Sequence, residues 1–527
     1  MTARTFAGAV VVCASLLARA VAAQNADPVP DSGPIPEASP PPPAPAAPPP
    51  PVTSAPATEF PVMPRPSPPP ASTERMARPS PLLMEPPSPW FRGTPHEPMV
   101  GRWQTTLYGF VEFNGMHDST QSYGPSTNNA MLARPGTYAG QHGRTQLTAN
   151  NSLFGLILAA PALGAMTAIG HLEVDFFGVQ PTDATESTIY TTPSLRMRLF
   201  YLRLKKSVLG PASVELLAGQ YHDLFAWGGA GFYPHSIAFL GIAGEVYHRQ
   251  PQIRLTASAP IACATIDVAA AAVRPVQRDS QVPDAQAGIK VSIGSWKGIG
   301  AQGFGQPEVQ PAAFGVSGVW RRFAVAEFLP VPGEPKIGFG YGLAANAFLP
   351  IIPARRAESR ENALSLNGEF TIGTGISDLY TGLTGGALFP TLPNPSGLMP
   401  APLYRPNIDS GIVTFDGDGN LRSINWRAIV VGFQYYLPVA EGRVWVSGNY
   451  SQLKSTNIVD LTPTNSRGGV FFWQQYFDAN AYMAVHPAVH LGVSYQYTQQ
   501  VFGDNPFNGP NPRSHNHRGE LGMRMFF

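Results

Sequence analysis

The chain has 527 residues and a formal net charge of +1, and only 13% of its residues are charged, against about 25% in a typical soluble domain. A nucleic-acid-binding protein needs a basic face, and this balance argues against one. The low charge, together with 53 Gly and 57 Pro, also argues against a coiled coil. Beyond the N-terminal leader, no apolar run reaches the roughly 18 residues that predict a transmembrane helix.

The first 23 residues predict a secretory signal peptide. Arg4 precedes an apolar run over 6–17, and small residues follow at 20–23. Cys13 lies in the part that would be removed, and the residues before it do not form a lipoprotein signal. Because Cys263 would then be the one cysteine left, an intrachain disulfide is not expected, and Cys263 is interpreted as a small apolar strand residue.

Residues 24–100 form a proline-rich segment that includes PPPPAPAAPPPP (40–51) and PRPSPPPAS (64–72). Such a composition cannot bury enough apolar surface to fold, so we expect a disordered, polyproline-like spacer in the periplasm. Two interpretations remain open. The segment is either a tether that reaches the cell wall or a partner, or a linker without a specific ligand.

From residue 101 to 527 the sequence predicts an all-β domain, because short runs alternate apolar with polar residues and turn residues separate them. About sixteen strands are predicted, within a range of about 14 to 18. The strand boundaries are least defined over 294–335. The predicted strands are 105–116, 143–159, 166–178, 195–206, 212–225, 245–258, 263–274, 284–293, 313–323, 336–349, 362–374, 425–437, 442–452, 470–485, 488–502 and 517–527.

The connections alternate between short and long, which is typical of a transmembrane antiparallel up-and-down β-barrel in an outer membrane. The short ones would all lie on the periplasmic side, and the linker 294–312, which is long for that side, is an exception. Closure of the sheet satisfies every backbone polar group in lipid. In HLEVDFFG, Leu172, Val174 and Phe176 would face lipid, while His171, Glu173 and Asp175 would face the lumen. A soluble sandwich would show the same alternation over fewer, shorter strands.

The segment GELGMRMFF (519–527) predicts the strand that closes the barrel against the first one. Leu521, Met523, Met525 and Phe527 fall on one face and would contact lipid. This pattern resembles the C-terminal signature of bacterial outer-membrane proteins. The resemblance implies that these four residues form a membrane-insertion signal, read by the barrel-insertion machinery.

Six further segments extend the resemblance: LYGFVEFNG (107–115), GRTQLTANNSLFGLIL (143–158), HLEVDFFG (171–178), LRMRLFYLRL (195–204), LLAGQYHDLF (216–225) and RQPQIRLT (249–256). In this order they resemble the DcaP-like branch of sixteen-stranded trimeric porins. The resemblance implies a homotrimer in the outer membrane of a Gram-negative bacterium. It also implies a weak preference for anionic solutes. Members of that branch can carry an N-terminal coiled coil. A proline-rich segment stands here instead, so coiled-coil assembly is not carried over.

The expected site is a water-filled pore narrowed by an inward loop. The Gly-rich, aromatic stretch 225–245 is the third long connection, and in porins that loop narrows the pore. The candidate constriction residues are Asp223, Trp227, Tyr233 and His235. The candidate charges of the pore wall are Glu112, Glu173, Asp175, Arg203, Lys205, Arg254, Asp267, Arg443, Glu520 and Arg524. Neither sign clearly dominates.

We therefore expect passive diffusion of small hydrophilic solutes, without a cofactor or bound metal. GIGAQG (298–303) fits a nucleotide-binding pattern, but no helical pattern follows it. FDGDGN (415–420) lacks the rest of a calcium loop, and the histidines of HNH (515–517) are interpreted as solvated. Two alternatives remain open: a structural anchor whose proline-rich arm grips the cell wall, and a barrel-based enzyme, for which the sequence holds no motif.

Overall fold

The computed structural model describes residues 103–125, 131–179, 194–227, 242–301, 303–327, 333–380, 383–387, 407–504 and 513–527. The described part is almost entirely β-structure. Its helical pieces are one turn at Tyr138–Gln141 and short 3-10 turns in connections, and no described helix is long and apolar enough to cross a membrane.

Nineteen strands are present among the described residues. The first ten are β1 (Gln104–Asp118), β2 (Arg144–Thr148), β3 (Leu153–Ala159), β4 (Met166–Asp175), β5 (Arg196–Leu209), β6 (Ala212–His222), β7 (Arg249–Ile261), β8 (Ala264–Val273), β9 (Asp284–Ile299) and β10 (Val309–Ala326). The others are β11 (Pro335–Ile352), β12 (Leu364–Thr374), β13 (Val413–Phe415), β14 (Leu421–Ser423), β15 (Asn425–Tyr436), β16 (Val444–Ser455), β17 (Phe471–His486), β18 (Val489–Phe502) and β19 (Arg513–Phe526).

The strands form one closed antiparallel barrel. β2 and β3 both pair with β1 and together make a single interrupted strand, while β13 and β14 form a separate hairpin. Each remaining strand pairs with its neighbours in sequence, and β1 closes the sheet against β19, with Glu112 opposite Arg524. The predicted barrel of sixteen strands is confirmed, and each predicted strand overlaps one of the sheet.

The two faces of the barrel wall differ in polarity, as β7 and β19 show. On β7, Ile253 and Leu255 are exposed on the outer face, while Gln252 and Arg254 are buried inside. On β19, Leu521, Met523 and Met525 are exposed and the residues between them are buried. An apolar outer band on a closed sheet is the condition under which strands cross a lipid bilayer.

The connections differ in length between the two ends of the barrel. The long ones, including 119–143, 223–248 and 375–424, lie at one end, here called the loop end. The short ones, including 160–165, 210–211 and 487–488, lie at the other, here called the turn end. The exception expected over 294–312 becomes shorter in the structure, because β9 continues to Ile299 and β10 begins at Val309. The remaining residues, 300–308, of which 302 lies outside the described part of the chain, form a turn that enters the barrel, here called the inward turn.

Candidate functional site: the barrel lumen

The lumen is crossed at the loop end by loop L3, residues 223–248, of which 223–227 and 242–248 are described. Its first limb lies on β9 and β10, where the Ala226 N–H donates to Ser317 Oγ at 2.8 Å. On its return limb, the Val246 N–H donates to Glu369 Oε1 of β12 at 2.9 Å, and Ser451 of β16 donates to the Ala243 carbonyl.

The return limb of L3 reaches from one wall of the barrel to the other. Ala243 is bonded to β16, whereas the hydroxyl of Tyr247 lies 3.2 Å from Arg198 Nη2 of β5. Along the sheet order, six strands separate β5 from β16 one way round and eight the other way. L3 therefore forms a bar across the lumen, as expected for a constriction loop. Tyr233 and His235 lie outside the described residues.

An apolar cluster fills one half of the loop end. It joins Phe225 and Val246 of L3 to Ile376 and Leu379 of the 375–424 loop and to Trp426 of β15. Ile458 and Val470, from the connection 456–470, complete it. These side chains are nearly inaccessible to solvent, so protein occupies the space along β11, β12, β15 and β16.

At the turn end, the inward turn lies against the same half of the barrel. Gly303 N–H donates to Gln434 Oε1 of β15 at 2.9 Å, and Trp445 Nε1 of β16 donates to the Gly303 carbonyl at 2.8 Å. The Phe304 ring is fully buried and stacks on Tyr482 of β17, with 5.5 Å between the ring centres. Protein therefore fills the turn end along β15 to β17.

The pair of Arg524 and Glu112 lies beneath the inward turn. The two side chains form an ion pair across the closing strands, and both are fully buried. Arg524 Nη1 also lies 3.3 Å from the Phe304 carbonyl, and its guanidinium is 4.2 Å from the Phe110 ring centre. Both residues face inward, as the sequence predicts, but the turn covers them, so neither is accessible from the lumen.

The wall from β5 to β9 carries charged side chains that remain in contact with solvent. The exposed side-chain fractions are 21% for Glu215, 17% for Lys290, 16% for Asp267 and 10% for Arg203. Lys205 is also partly exposed and lies opposite Glu215 in the register. Among the described residues, this wall therefore keeps charged side chains in contact with solvent, whereas the opposite half of the lumen is filled.

These wall charges are arranged as loose pairs of opposite sign. Arg203 Nε lies 3.4 Å from Glu215 Oε1, and Lys290 Nζ lies 3.9 Å from Asp267 Oδ2. Trp227 of L3 lies over this wall, with its ring centre 4.7 Å from Lys290 Nζ. This wall therefore presents charges of both signs beside the Trp227 ring of L3.

The other predicted wall residues hold the barrel and its loops together. Glu173 and Asp175 bind Arg198 at 2.7 and 3.0 Å. Asp223 accepts a hydrogen bond from Gln250 Nε2 at 3.3 Å, and Arg254 donates to Gln252 at 3.0 Å. Two residues stand apart. Glu520 accepts from Gln496 at 3.0 Å on the far wall, and Arg443 precedes β16 in an exposed turn, so the expectation that it faces the lumen from a strand is corrected.

Sequence reasoning missed Arg198, Glu215 and Lys290. In the alternation that places Arg203 and Lys205 inside, Arg198 belongs to the outer face. A bulge resolves this, because Glu173 pairs with Leu199 and Val174 pairs with Met197, which leaves Arg198 as an extra residue that turns inward. Glu215 and Lys290 follow the plain alternation and could have been found from it.

Two pKa shifts outside the strands accompany the anchoring of L3. Burial, and then the nearby charge of Glu369, raises the pKa of Glu245 well above its ordinary value. For His248, burial lowers the pKa, but the hydrogen bond between its Nδ1 and Asp223 at 3.2 Å and the charges of Asp223 and Asp378 together outweigh that effect, so the pKa is raised. Asp223 and His248 stand at the two ends of L3, and their contact therefore closes the loop at its base.

No protein-family model matches the chain, and no curated protein matches its sequence. Among solved structures, the outer membrane channel DcaP of Acinetobacter baumannii is 17% identical, with 81% of this chain and 97% of that chain covered and a TM-score of 0.52. OprB of Pseudomonas putida is 11% identical, with 81% and 94% covered and a TM-score of 0.41. OmpF of Salmonella typhi, in complex with daunomycin, is 11% identical, with 80% and 97% covered and a TM-score of 0.41. The likeness to DcaP confirms the expected barrel fold.

Proposed function

We propose that the protein is a channel of the Gram-negative outer membrane through which small hydrophilic solutes diffuse passively. The observation that carries the proposal is the solvent-accessible wall of β5 to β9 inside a closed barrel with an apolar outer face. Charges there remain partly exposed although the opposite half of the lumen is filled. A wet, charged path beside a loop that crosses the lumen suits diffusion of polar solutes.

The path has a weak preference for anions. The partly exposed Lys205 and Lys290 stand against Glu215 and Asp267, and the nearly buried Arg203, whose side chain is 10% exposed, adds one positive charge in excess. A single excess charge, with opposite charges close by, gives a modest potential that salt screens. The preference should therefore appear as a small reversal potential under a salt gradient and should shrink as the salt concentration rises.

The channel proposal also predicts the orientation of the barrel, its assembly and the place of the N-terminal segments. The loop end would face outward and the turn end the periplasm, as in outer-membrane barrels with long external loops. The chain would assemble as a homotrimer through the apolar outer faces of the barrels. Residues 1–23 would be the signal peptide, and the segment 24–100 would be an extended periplasmic spacer before the barrel domain.

The test is single-channel recording of the refolded protein in a planar bilayer, with and without residues 24–100. Steady openings that appear and close in groups of three would support a trimeric channel. The reversal potential in a KCl gradient would give the charge preference. The two forms should conduct equally, because a spacer outside the barrel does not narrow the path.

Absence of conductance from both folded forms would overturn the channel proposal. A shift of the gel band on heating serves as the control that the barrel is folded before the recording. In that case a structural anchor, with the proline-rich arm as its cell-wall contact, becomes the better hypothesis. Binding of purified peptidoglycan by the full chain, and not by the form without residues 24–100, would support it.

A further inference from the structure

We propose that the inward turn, residues 300–308, is a second constriction of the pore, at the end opposite to L3, and that it sorts solutes by size after they pass the loop. The inference rests on the proposed channel function. Connections at the turn end of this barrel are otherwise short or exposed. This one enters the lumen, and the following observations show what holds it there.

The first observation is the direction of the turn. It leaves the wall at Ile299 of β9 and returns at Val309 of β10, yet the Phe304 carbonyl lies 3.3 Å from Arg524 Nη1 of β19. In the sheet order, seven strands separate β9 from β19 in either direction. The turn therefore reaches from one wall of the barrel to the opposite one, and it spans the lumen at the turn end as L3 does at the loop end.

The second observation is that inward-facing side chains of the strands hold the turn. Gln434 of β15 bonds to it twice, accepting from the Gly303 N–H at 2.9 Å and donating to the Gly300 carbonyl at 3.1 Å. Trp445 of β16 donates to the Gly303 carbonyl at 2.8 Å. Gln434 and Trp445 are fully or almost fully buried. Bonds between buried groups fix the backbone of the turn in one position, since their loss would leave polar groups without partners.

The third observation is the clamp around Phe304. Its ring stacks on Tyr482 with 5.5 Å between centres and lies 4.7 Å from the Arg524 guanidinium, which is also 4.2 Å from the Phe110 ring centre. The ion pair to Glu112 fixes the Arg524 head. Phe304 is thus packed between aromatic rings and a guanidinium, an arrangement that binds the ring more strongly than apolar burial alone.

The fourth observation is that the sequence of the turn suits this position. Gly303 has a φ of +52°, a backbone conformation that glycine adopts without strain. At Gly300, an added Cβ would lie 2.6 Å from the amide carbon of Gln310, so the Gln310 side chain would have to move to make room for it. Glycines at these two places let the chain bend inward and pass close to the wall. A simple hairpin between β9 and β10 would require neither.

The consequence for the pore is a path that is narrowed twice along the same wall. L3 and the inward turn both start from the wall of β6 to β9 and reach across the lumen to strands between β12 and β19. The partly exposed Lys205, Glu215 and Asp267 lie on the other half. Solutes would pass beside these charges at both ends, and the smaller of the two openings sets the size limit.

The test replaces residues 301–307 by Asn-Gly, which forms a two-residue hairpin turn, and compares that protein with the full chain in planar bilayers. Single-channel conductance should rise, by about two-fold if the two constrictions contribute similarly in series. Polyethylene glycols of increasing size, added on the turn-end side, should enter the pore at a larger size than in the parent protein. The cut-off from the loop end should be unchanged, because L3 is untouched.

A point substitution separates the clamp from the length of the turn. Phe304→Ala should raise conductance and its fluctuations, because the turn loses the ring that packs between Tyr482 and Arg524 but keeps its length and its backbone hydrogen bonds. The matched control is Phe370→Ala on β12, whose side chain is 45% exposed on the outer face. It removes the same ring without touching the lumen.

The outcomes distinguish the two proposals. If the parent protein conducts, and both the shortened turn and Phe304→Ala keep the parent conductance and polymer cut-off, the second constriction is overturned and the channel stands. If the folded parent protein does not conduct, the channel function fails and the constriction fails with it. Increased conductance in both variants, with Phe370→Ala unchanged, supports the constriction.

Discussion

The ammonium group of Lys290 lies 4.7 Å from the ring centre of Trp227, so the wall of β9 and the first limb of L3 meet at a cation–aromatic contact. The same ammonium group is 3.9 Å from Asp267. The wall near the first limb of L3 thus has one partly exposed cation between an aromatic ring and a carboxylate. Its charge is accessible to a passing solute, whereas that of Arg524 is not.

Replacing Lys290 by Glu should move the selectivity of the pore towards cations. The five wall charges, Arg203 included, would change from three positive and two negative to two positive and three negative. The measurement is the reversal potential under a KCl gradient, which should change sign. Lys454→Glu is the matched control, since Lys454 lies on β16 between the buried inward residues Leu453 and Ser455 and faces outward. Equal shifts in both variants would contradict the assignment of Lys290 to the path.

Removal of the Arg198 side chain should destabilise the barrel strongly. Arg198 is 3% exposed and binds Glu173 at 2.7 Å and Asp175 at 3.0 Å. Arg198→Ala would leave two buried carboxylates with less compensation, and breaking such a pair costs about 3 to 5 kcal/mol. Urea unfolding in lipid vesicles gives the free energy of unfolding. Arg443→Ala, in an exposed turn, should change the free energy of unfolding little. Equal effects of the two substitutions would contradict a stabilising role of the Arg198 ion pairs.

Anchoring of L3 should weaken as the pH rises, because the pKa of Glu245 is raised by burial and by Glu369. A carboxyl group whose pKa is higher in the folded protein stabilises the fold in its protonated form. This stabilisation is complete below the pKa of the unfolded protein, which is about 4.3. The contribution is lost as the pH rises through the folded value. Glu245→Gln keeps the neutral form at every pH. The variant and the parent should therefore unfold at similar temperatures near pH 4, and the variant should be the more stable at neutral pH. A constant difference across this range would contradict the prediction.

A new charge should reduce folding at one position of β7 and leave it unchanged at the neighbouring position. Leu255 is 54% exposed on the outer face, whereas Thr256 faces the lumen. Leu255→Arg places a guanidinium in the lipid, which costs about 2 to 4 kcal/mol near the bilayer midplane, while Thr256→Arg places it beside water. Folding yield into vesicles, followed by the gel shift on heating, should fall for the first variant only. Similar yields for both would count against a lipid-facing outer surface.

Residue alternation predicted the fold well because an outer face in lipid and a wet inner face impose a period of two on every strand. Leu255 and Leu521 are outside and Arg254 and Arg524 inside, as that period requires. The rule fails at Arg198, since a bulge adds one residue to β5 and changes the face of everything beyond it. A bulge depends on the pairing with β4, and one strand read alone does not reveal it.

Exposure inside the lumen could not be predicted from alternation. Glu112 and Lys205 both face inward, but Glu112 is covered by protein and Lys205 is partly exposed. Their exposure differs because of the course of L3 and of the inward turn. Both are connections, and their sequences carry no periodic pattern. The unusual length of the linker after β9 was the one signal in the sequence, and its meaning emerged only from contacts with β15 to β19.

The link between Phe304 and Arg524 also bears on the order of assembly. Arg524 belongs to β19, the strand whose pairing with β1 closes the sheet. Its ion pair with Glu112 joins residues about as far apart in sequence as the described chain allows. Contacts of such long sequence separation form late in folding. The inward turn therefore lacks its final anchor until β19 is in place. A barrel caught before closure would still be open along its seam and wider at its turn end, so the mature pore width would be reached in the last step of folding.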